Sequence, residues 1–197
     1  MSLVTIITPT YKASPFTLQR CLNSVQRQTV KDFTHIICSD GESEPDVLRV
    51  VLGYNDQRLH YKWTNTHHGD YGHSIRQVLL PEITSKYLMF LDDDNFIFPY
   101  YLESMLDSLA KYPQGRFTIC GLLHYGPLLA ELGEPPVVLY GEPKVGYIDT
   151  LQVLMETALL QEVGWVANDY AADGWTYEAM AKVAKFSRVP EVLGVHS

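Results

Sequence analysis

Three consecutive carboxylates, Asp92, Asp93 and Asp94, directly follow the apolar run at residues 87–91. Adjacent like charges repel one another, so such a triplet destabilises a fold unless a cation or a hydrogen-bonding ligand compensates it. The next predicted helix begins at Pro99, too far downstream for these carboxylates to cap it. Mg²⁺ and Mn²⁺ prefer oxygen ligands, and proteins commonly supply one or two carboxylates beside substrate phosphates. The triplet therefore predicts a divalent cation site, with an exposed turn as the alternative.

Polar turns also follow two earlier apolar runs. The stretch "TPTYK" places Pro9, Thr10 and Tyr11 after the first run, and "SDGE" places Asp40 after the second. Taken alone, each favours an ordinary turn, since an aspartate beside Gly41 is a common turn residue. Their value for function depends on whether the fold brings them next to the acidic triplet.

Other candidate residues lie in three separate places. The segment "THHGDYGHSIRQ" (66–77) holds three of the seven histidines, but a zinc site would need a more regular spacing and a second cluster. Arg76 in this segment is a candidate to bind a phosphate or to neutralise the triplet. Asp173 stands before a predicted helix, where capping and acid–base chemistry are both open. His196 lies at the end of the sequence, where a tail residue is the ordinary interpretation.

Strand-like and helical segments alternate through the first half of the chain. The predicted strands are 3–8, 33–39, 59–64 and 87–91. One predicted helix begins at Ser14, and three others span 43–54, 72–80 and 99–112. This alternation predicts an α/β fold with a mostly parallel sheet sandwiched by helices. Because ligands bind beyond the carboxyl ends of such strands, Tyr11, Asp40 and the acidic triplet are expected along one rim.

The pattern loosens after about residue 113. Strands are predicted at 116–126 and 135–141, helices at 149–165 and 173–185, and an extended segment at 186–197. A chain of 197 residues is the length of one domain. We expect a single domain with a nucleotide-binding half at 1–112 and an acceptor and catalytic half at 113–197.

Composition narrows the class of protein. Hydrophobic residues make up 46% of the chain and charged residues 19%, as in globular proteins. The formal net charge of −8 argues against a nucleic-acid partner bound through many phosphates. Cys21, Cys38 and Cys120 lack metal-type spacing and favour free thiols in a reducing compartment. The first apolar run is too short for a signal peptide, and no stretch reaches the roughly 18–20 apolar residues of a membrane span. We expect a cytoplasmic protein without a transmembrane segment.

Five segments, in order, resemble those of family-2 glycosyltransferases with the GT-A fold. They span Val4 to His196 and are "VTIITPTY", "VQRQTVKDFTHIICSDGESE", "YLMFLDDDN", "ALLQEVGW" and "PEVLGVHS". Each is a modest signal alone, whereas five in the family's order are a strong one. The resemblance implies a hexosyltransferase-like enzyme that transfers a single sugar with inversion, from a nucleotide-diphosphate sugar, UDP favoured, to an acceptor hydroxyl.

The resemblance also implies roles for residues. A nucleotide site would comprise Pro9, Thr10, Tyr11 and Asp40 at the base, Arg76 at the base or phosphate, and Asp92 or Asp93 at the ribose. Asp94, in the DXD motif, and His196 would hold Mn²⁺ or Mg²⁺ against the donor diphosphate, whose growing negative charge on departure a cation stabilises. Asp173 would take the proton from the neutral acceptor hydroxyl.

Departures from the family pattern limit what the resemblance implies. "SDGE" stands where the family usually has Asp-Asp-Gly-Ser, and Ala172-Asp173 stands where a Glu-Asp pair is expected. The Gln-x-x-Arg-Trp pattern of processive synthases is missing, which favours single-sugar transfer. The sequence stops one residue after His196, so the acceptor pocket is expected to be open or completed by a second subunit in a homo-oligomer.

Two other functions stay open at this point. A nucleotide-sugar-binding protein with weak or no catalytic activity fits the single acid at 172–173 equally well. A sugar-phosphate nucleotidyltransferase would normally carry a glycine-rich basic loop after the first strand to hold a triphosphate, and "TPTYKASP" contains no glycine. The donor sugar and the acceptor are not identified by the sequence.

Overall fold

The computed structural model describes residues 2–167 and 169–197, without the side chains of Pro127 and Leu128. The helices within these residues are α1 (Pro15–Gln26), α2 (Pro45–Gly53), α3 (His73–Leu79), α4 (Tyr101–Lys111), α5 (Pro127–Leu132), α6 (Thr157–Val163) and α7 (Ala172–Val183). The strands are β1 (Val4–Thr10), β2 (Phe33–Ser39), β3 (Leu59–Trp63), β4 (Tyr87–Phe90), β5 (Phe96–Ile97), β6 (Gly115–His124), β7 (Val137–Tyr140), β8 (Val153–Glu156) and β9 (Lys185–His196). Short 3-10 turns lie at Leu80–Glu82 and Thr150–Gln152.

One mixed sheet joins all the strands, in the order β3-β2-β1-β4-β8-β6-β9-β5, with β7 paired to β6. The part formed by β3, β2, β1 and β4 is parallel, as the alternating pattern predicts. Strand β8 runs antiparallel to both β4 and β6, whereas β9 runs parallel to β6. The two halves of the chain therefore share one continuous sheet.

Strand β8 corrects the helix predicted over 149–165. The first part of that range is a 3-10 turn and then β8, and only Thr157–Val163 is helical. The apolar residues Val153, Leu154 and Met155 are fully buried between two neighbouring strands. A short apolar run buried on both faces has no periodicity that separates strand from helix, so the pairing available in the sheet decides its structure.

The core explains why the first strand and helix form where they do. Every residue of β1 is buried, and α1 turns Leu18, Leu22 and Val25 toward the sheet. Pro15 occupies the start of α1, where its fixed φ suits the first helical turn. The thiols of Cys21, Cys38 and Cys120 are all buried and free, which confirms the predicted state of the cysteines. No helix within the described ranges is long and apolar enough to cross a membrane.

The parallel strands bring the predicted site residues to one edge of the sheet. Thr10 at the end of β1 pairs with Ser39 at the end of β2, and the Asp40 amide donates to the Thr10 carbonyl at 2.8 Å. On the other side of β1, the amide of Leu91 donates to Ile7 at 3.0 Å. The turns that follow β1, β2 and β4 therefore lie side by side, as predicted.

Gly174 in α7 provides a test of how the helix that carries Asp173 is seated. A Cβ added there would lie 2.6 Å from the Val145 Cα, so Gly174→Ala would push a backbone segment away. We expect a loss of about 1–3 kcal/mol, which lowers the melting temperature by about 2–4 °C for each kcal/mol.

Gly53→Ala is the matched control, because a Cβ at Gly53 would meet no heavy atom within 4 Å. We expect that variant to melt at the parent temperature or slightly above it, since alanine favours helix more than glycine does. Equal melting temperatures for the two variants would contradict the close packing of α7 on Val145.

Candidate active site

A cavity of about 620 Å³ lies beyond the ends of β1, β2 and β4, and we call it the rim cavity. Its lining includes every predicted site residue except Arg76 and Asp173, namely Pro9, Thr10, Tyr11, Asp40, Asp92, Asp93, Asp94 and His196. These residues come from four separate parts of the chain. The fold therefore gathers the residues that the sequence predicted to act together.

One end of the rim cavity carries a stacked aromatic pair. The ring of Tyr11 stacks on His67, with centroids 4.1 Å apart and planes at 15°. His67 Nδ1 lies 2.9 Å from an Asp40 oxygen, and the amides of His68 and Gly69 each donate to the same carboxylate at 2.9 Å. Asp40 thus fixes the 67–69 loop against the sheet. Its Oδ2 is occupied by His67 and Gly69, whereas Oδ1, which accepts from His68, keeps one acceptor position for a ligand. The sequence did not single out His67.

Arg76 lies beneath the cavity floor and is only 2% exposed. Its guanidinium lies over the rings of Phe90 and Trp165, 5.5 and 5.3 Å from their centroids. Nη2 donates to Asp92 Oδ1 at 2.6 Å, and Nη1 donates to the Tyr71 carbonyl at 2.8 Å. Arg76 therefore pairs with one member of the triplet, Asp92, and contact with a phosphate stays a prediction.

The other two carboxylates of the triplet lack such a partner. Within residues 2–167 and 169–197, neither Asp93 nor Asp94 forms an ion pair. Burial, with contributions from the neighbouring carboxylates and some offset from the Thr10 hydroxyl, raises the pKa of Asp93 to about 7. Desolvation of its carboxylate and the charge of Asp92 also raise the pKa of Asp94, while His196 opposes the rise. Both carboxylates are therefore placed where an added cation would stabilise their charged forms.

The donor set fits a cation that is shared with a ligand. No group of three or more His, Cys, Asp or Glu in the described part of the chain is arranged to hold a metal by itself. Mg²⁺ sites of this kind take one or two carboxylates and complete their shell with substrate phosphates and water. Asp94, exposed at the rim cavity, fits that incomplete coordination.

Asn95 holds the end of β9 beside the triplet. Its side chain is fully buried, and Oδ1 accepts from the Ser197 amide at 3.1 Å. Arg20 donates both to the Asp94 carbonyl and to the Ser197 hydroxyl. These bonds place His196 in the cavity wall rather than in a free tail. The side-chain amide of Asn95 therefore positions the end of β9, a role that was not predicted from the sequence.

A second cavity of about 620 Å³ adjoins the first, and we call it the inner cavity. It contains Arg76 and Asp173, and it shares Asp92 and His196 with the rim cavity. Asp173 lies in the first turn of α7, where Oδ1 accepts from the Gly174 amide at 2.7 Å. Burial raises the pKa of Asp173 to about 6, with that hydrogen bond opposing. The predicted helix start was wrong, because α7 begins at Ala172 with Ala171 as its N-cap, so Asp173 lies inside the first turn and does not cap the helix. Its acid–base role stays a prediction.

His124 and Asp149 surround His196 in the inner cavity, and neither was predicted. His124 is the cross-strand partner of His196, and their Nδ1 atoms lie 2.9 Å apart. His196 Nε2 lies 3.6 Å from Asp149 Oδ2. Asp149 also accepts from the Leu151 amide at 2.8 Å, capping the 3-10 turn. Asp149 was missed because it fell inside the wrongly predicted helix.

The chain is similar to known proteins in both sequence and fold. The model of the family described as "Glycosyl transferase family 2" matches residues 5–122. The teichoic acid poly(glycerol phosphate) polymerase of Staphylococcus epidermidis is 28% identical over 108 residues, which cover 54% of this chain and 15% of that protein. Chondroitin synthase of Escherichia coli is 28% identical over 109 residues, 55% of this chain and 16% of that protein. The matched region is thus a small part of these curated relatives.

Solved structures match over nearly the whole chain. The structure of S. aureus TarS 1-349 has a TM-score of 0.79 at 19% identity, covering 100% of this chain and 60% of that one. The mannosyltransferase PcManGT of Pyrobaculum calidifontis, solved with GDP-Man and Mn²⁺, has a TM-score of 0.76 at 17% identity. The match covers 99% of this chain and 56% of that one. At these identities the likeness shows the fold.

The raised pKa of Asp173 predicts a pH-dependent effect of Asp173→Asn on stability. Because the folded-state pKa of about 6 exceeds the ordinary value, the folded chain holds this proton more tightly than the unfolded chain. The stability that this proton contributes is fully present below the pKa of Asp173 in the unfolded chain, and it is lost as the pH rises through about 6. We therefore expect the melting temperature of Asp173→Asn, relative to the parent, to rise from about pH 4 to about pH 7 and then level off.

The measurement is a thermal melt in EDTA across that pH range. Asp107→Asn, which changes an exposed carboxylate on α4, is the control and should show no such rise. A difference between parent and Asp173→Asn that stays constant with pH would show that Asp173 is not perturbed by its surroundings.

Proposed function

Since the chain belongs to glycosyl transferase family 2, we propose that it transfers a single sugar from a nucleotide-diphosphate sugar to an acceptor hydroxyl. The GT-A-type α/β fold predicted from the sequence is confirmed by the family match and by the TM-score of 0.79 to TarS. One observation carries the proposal. The rim cavity collects the predicted nucleotide and cation residues, and a buried carboxylate, Asp173, lies in the cavity that adjoins it.

The rim cavity is the proposed donor site, with the nucleotide base stacked on the outer face of the Tyr11–His67 pair. Stacked aromatic rings and a carboxylate able to accept hydrogen bonds suit a flat base with N–H donors. UDP is the favoured nucleotide, and TarS has been solved with UDP and with UDP-GlcNAc. The diphosphate would then extend toward Asp93 and Asp94, with Asp92 or Asp93 near the ribose.

Mn²⁺ or Mg²⁺ is the proposed cofactor, held by Asp94 with His196 nearby and completed by the donor diphosphate. When bound, the cation would neutralise the negative charge that develops on the departing nucleoside diphosphate. The unpaired state of Asp93 and Asp94 supports this proposal, because the buried guanidinium of Arg76 is already bonded to Asp92. PcManGT was solved with Mn²⁺.

Asp173 is the proposed general base. It would accept the proton of the acceptor hydroxyl while that oxygen attacks the anomeric carbon of the donor sugar. With a pKa of about 6, the carboxylate is deprotonated near neutral pH yet is more basic than an ordinary aspartate, as general bases require. Attack from the side opposite the leaving diphosphate inverts the anomeric centre, and no covalent intermediate is needed.

This proposal also includes single-sugar transfer, a cytoplasmic location and a single domain whose nucleotide-binding half is 1–112. The shared sheet supports the single domain, because β8 of the second half pairs directly with β4 of the first. A homo-oligomer that completes the acceptor side also remains proposed. Membership of the family disfavours the nucleotidyltransferase alternative. The turnover experiment below distinguishes an active enzyme from a protein that binds the nucleotide sugar without turnover.

Nucleotide binding is tested by thermal melts with UDP, GDP, dTDP and CDP, each with and without Mn²⁺. A ligand that binds only the folded state at about a hundredfold excess over its dissociation constant adds about 2.7 kcal/mol. We expect UDP to raise the melting temperature by several degrees, and by more with Mn²⁺. Asp94→Ala should abolish the extra gain from Mn²⁺.

Asp107→Ala serves as the control for the loss of a carboxylate, and it should keep the full response to UDP and Mn²⁺. If another diphosphate stabilises the parent chain instead, the nucleotide is reassigned. If no diphosphate stabilises it under any metal condition, the donor-site proposal is wrong.

Turnover is tested by the release of UDP from UDP-sugars, with Asp173→Asn as the informative variant. The amide keeps the shape of the carboxylate but cannot accept the proton, so we expect the rate to fall about 10²- to 10⁴-fold. UDP affinity should stay at the parent value, because Asp173 lies outside the rim cavity. A parent protein that binds UDP and turns over no donor would favour the binding-protein alternative.

A further inference from the structure

Tyr71 has a backbone conformation that tyrosine rarely adopts. Its φ is +58°, in the left-handed region, and Gly69 and Gly72 on either side of it also have positive φ. A bulky residue at positive φ is unusual, and such strain persists where the surrounding structure enforces it, often at ligand sites. The side chain is 69% exposed, so little buried surface compensates the strain.

Two contacts fix this backbone. The Tyr71 carbonyl accepts from the buried Arg76 at 2.8 Å. A Cβ on the adjacent Gly72 would lie 2.5 Å from the Pro9 Cβ, so the segment packs tightly on the end of β1. The ring of Tyr71 is thus presented from a rigid base rather than from a free loop.

A second tyrosine meets Tyr71 at the boundary between the cavities. Tyr170 is 81% exposed, and its ring contacts that of Tyr71 edge to face, with centroids 5.4 Å apart at 80°. Both tyrosines line the rim cavity and the inner cavity. They therefore stand where the donor sugar would meet the acceptor. An exposed tyrosine offers an apolar ring face and a polar hydroxyl, which matches the apolar face and the hydroxyl edge of a sugar ring.

The charges of the inner cavity restrict the acceptor further. Asp92, Asp149 and Asp173 line it together with His73, His124 and His196, and the guanidinium of Arg76 is bonded to Asp92. Burial lowers the pKa of His73 and of His124, which favours their neutral forms. An acceptor with phosphate or carboxylate groups would meet like charges here, which costs binding energy.

We propose that Tyr71 and Tyr170 form an aromatic platform that binds a sugar ring of an uncharged glycan acceptor, next to Asp173. This inference rests on the proposed function, because it assigns the inner cavity to the acceptor. Tyr71 and Tyr170 determine specificity here, and proton removal remains with Asp173.

The test measures binding rather than turnover, by saturation-transfer NMR with UDP and Mn²⁺ present. The probes are the neutral disaccharides lactose, cellobiose and N,N′-diacetylchitobiose, with a glucuronide and glycerol phosphate as anionic probes. We expect at least one neutral disaccharide to bind and both anionic probes to bind more weakly. Tyr71→Ala and Tyr170→Ala should each lower the affinity for the disaccharide by about three- to tenfold, the factor that a ring contact contributes.

Tyr71→Gly separates binding from folding. Glycine adopts positive φ without strain, so this variant should melt at or above the parent temperature and still bind the disaccharide about three- to tenfold more weakly. Tyr100→Ala removes another exposed tyrosine, 62% exposed at the start of α4, and should leave disaccharide binding unchanged.

Three results would overturn the platform: tighter binding of an anionic probe, full disaccharide affinity in Tyr71→Gly, or no neutral disaccharide bound by a parent chain that binds UDP. Failure of the proposed function has a different signature. If UDP does not bind but a disaccharide still depends on Tyr71, the platform stands and the donor site is wrong.

Discussion

The ion pair between Arg76 and Asp92 is the interaction on which the rest of the site depends. A buried guanidinium is tolerated only when its charge and its N–H groups are matched. Here Asp92 supplies the charge, the Tyr71 carbonyl supplies a second acceptor, and the rings of Phe90 and Trp165 enclose the group. The pair joins α3 to the end of β4 and forms part of the wall between the two cavities. Removing Asp92 would leave the buried charge of Arg76 uncompensated at the centre of the site.

That pair also explains how three adjacent carboxylates coexist. Arg76 compensates Asp92 alone, so Asp93 and Asp94 keep raised pKa values in the protein without ligands. Their charge is compensated only when a cation arrives, and a cation held by so few protein oxygens requires further oxygens from a ligand. Binding of the cation and binding of a diphosphate are therefore expected to support each other.

Much of the site was predictable because strand ends follow a simple rule. Apolar runs followed by polar turns identified β1, β2 and β4, and parallel pairing then placed Tyr11, Asp40 and the triplet together. The rule does not predict β8, because its short buried run has no helical or strand periodicity. It does not predict the role of Asp149 beside that strand either. It could not find His124 either, because its role depends on the register of β6 against β9. The glycines around Tyr71 hint at an unusual backbone, but the φ of a tyrosine follows from packing.

The bond between Asn95 and Ser197 has a consequence for how the protein folds. It joins residues 102 positions apart, so the loop entropy of the intervening chain must be overcome before it forms. Contacts of such long range form late and slow the folding of a domain. The loop that follows β4, where we propose that the cation binds, is thus expected to reach its final shape only after β9 has docked. Affinity for a ligand in that loop would report that the whole sheet has been assembled, and a partly folded chain would compete poorly for it.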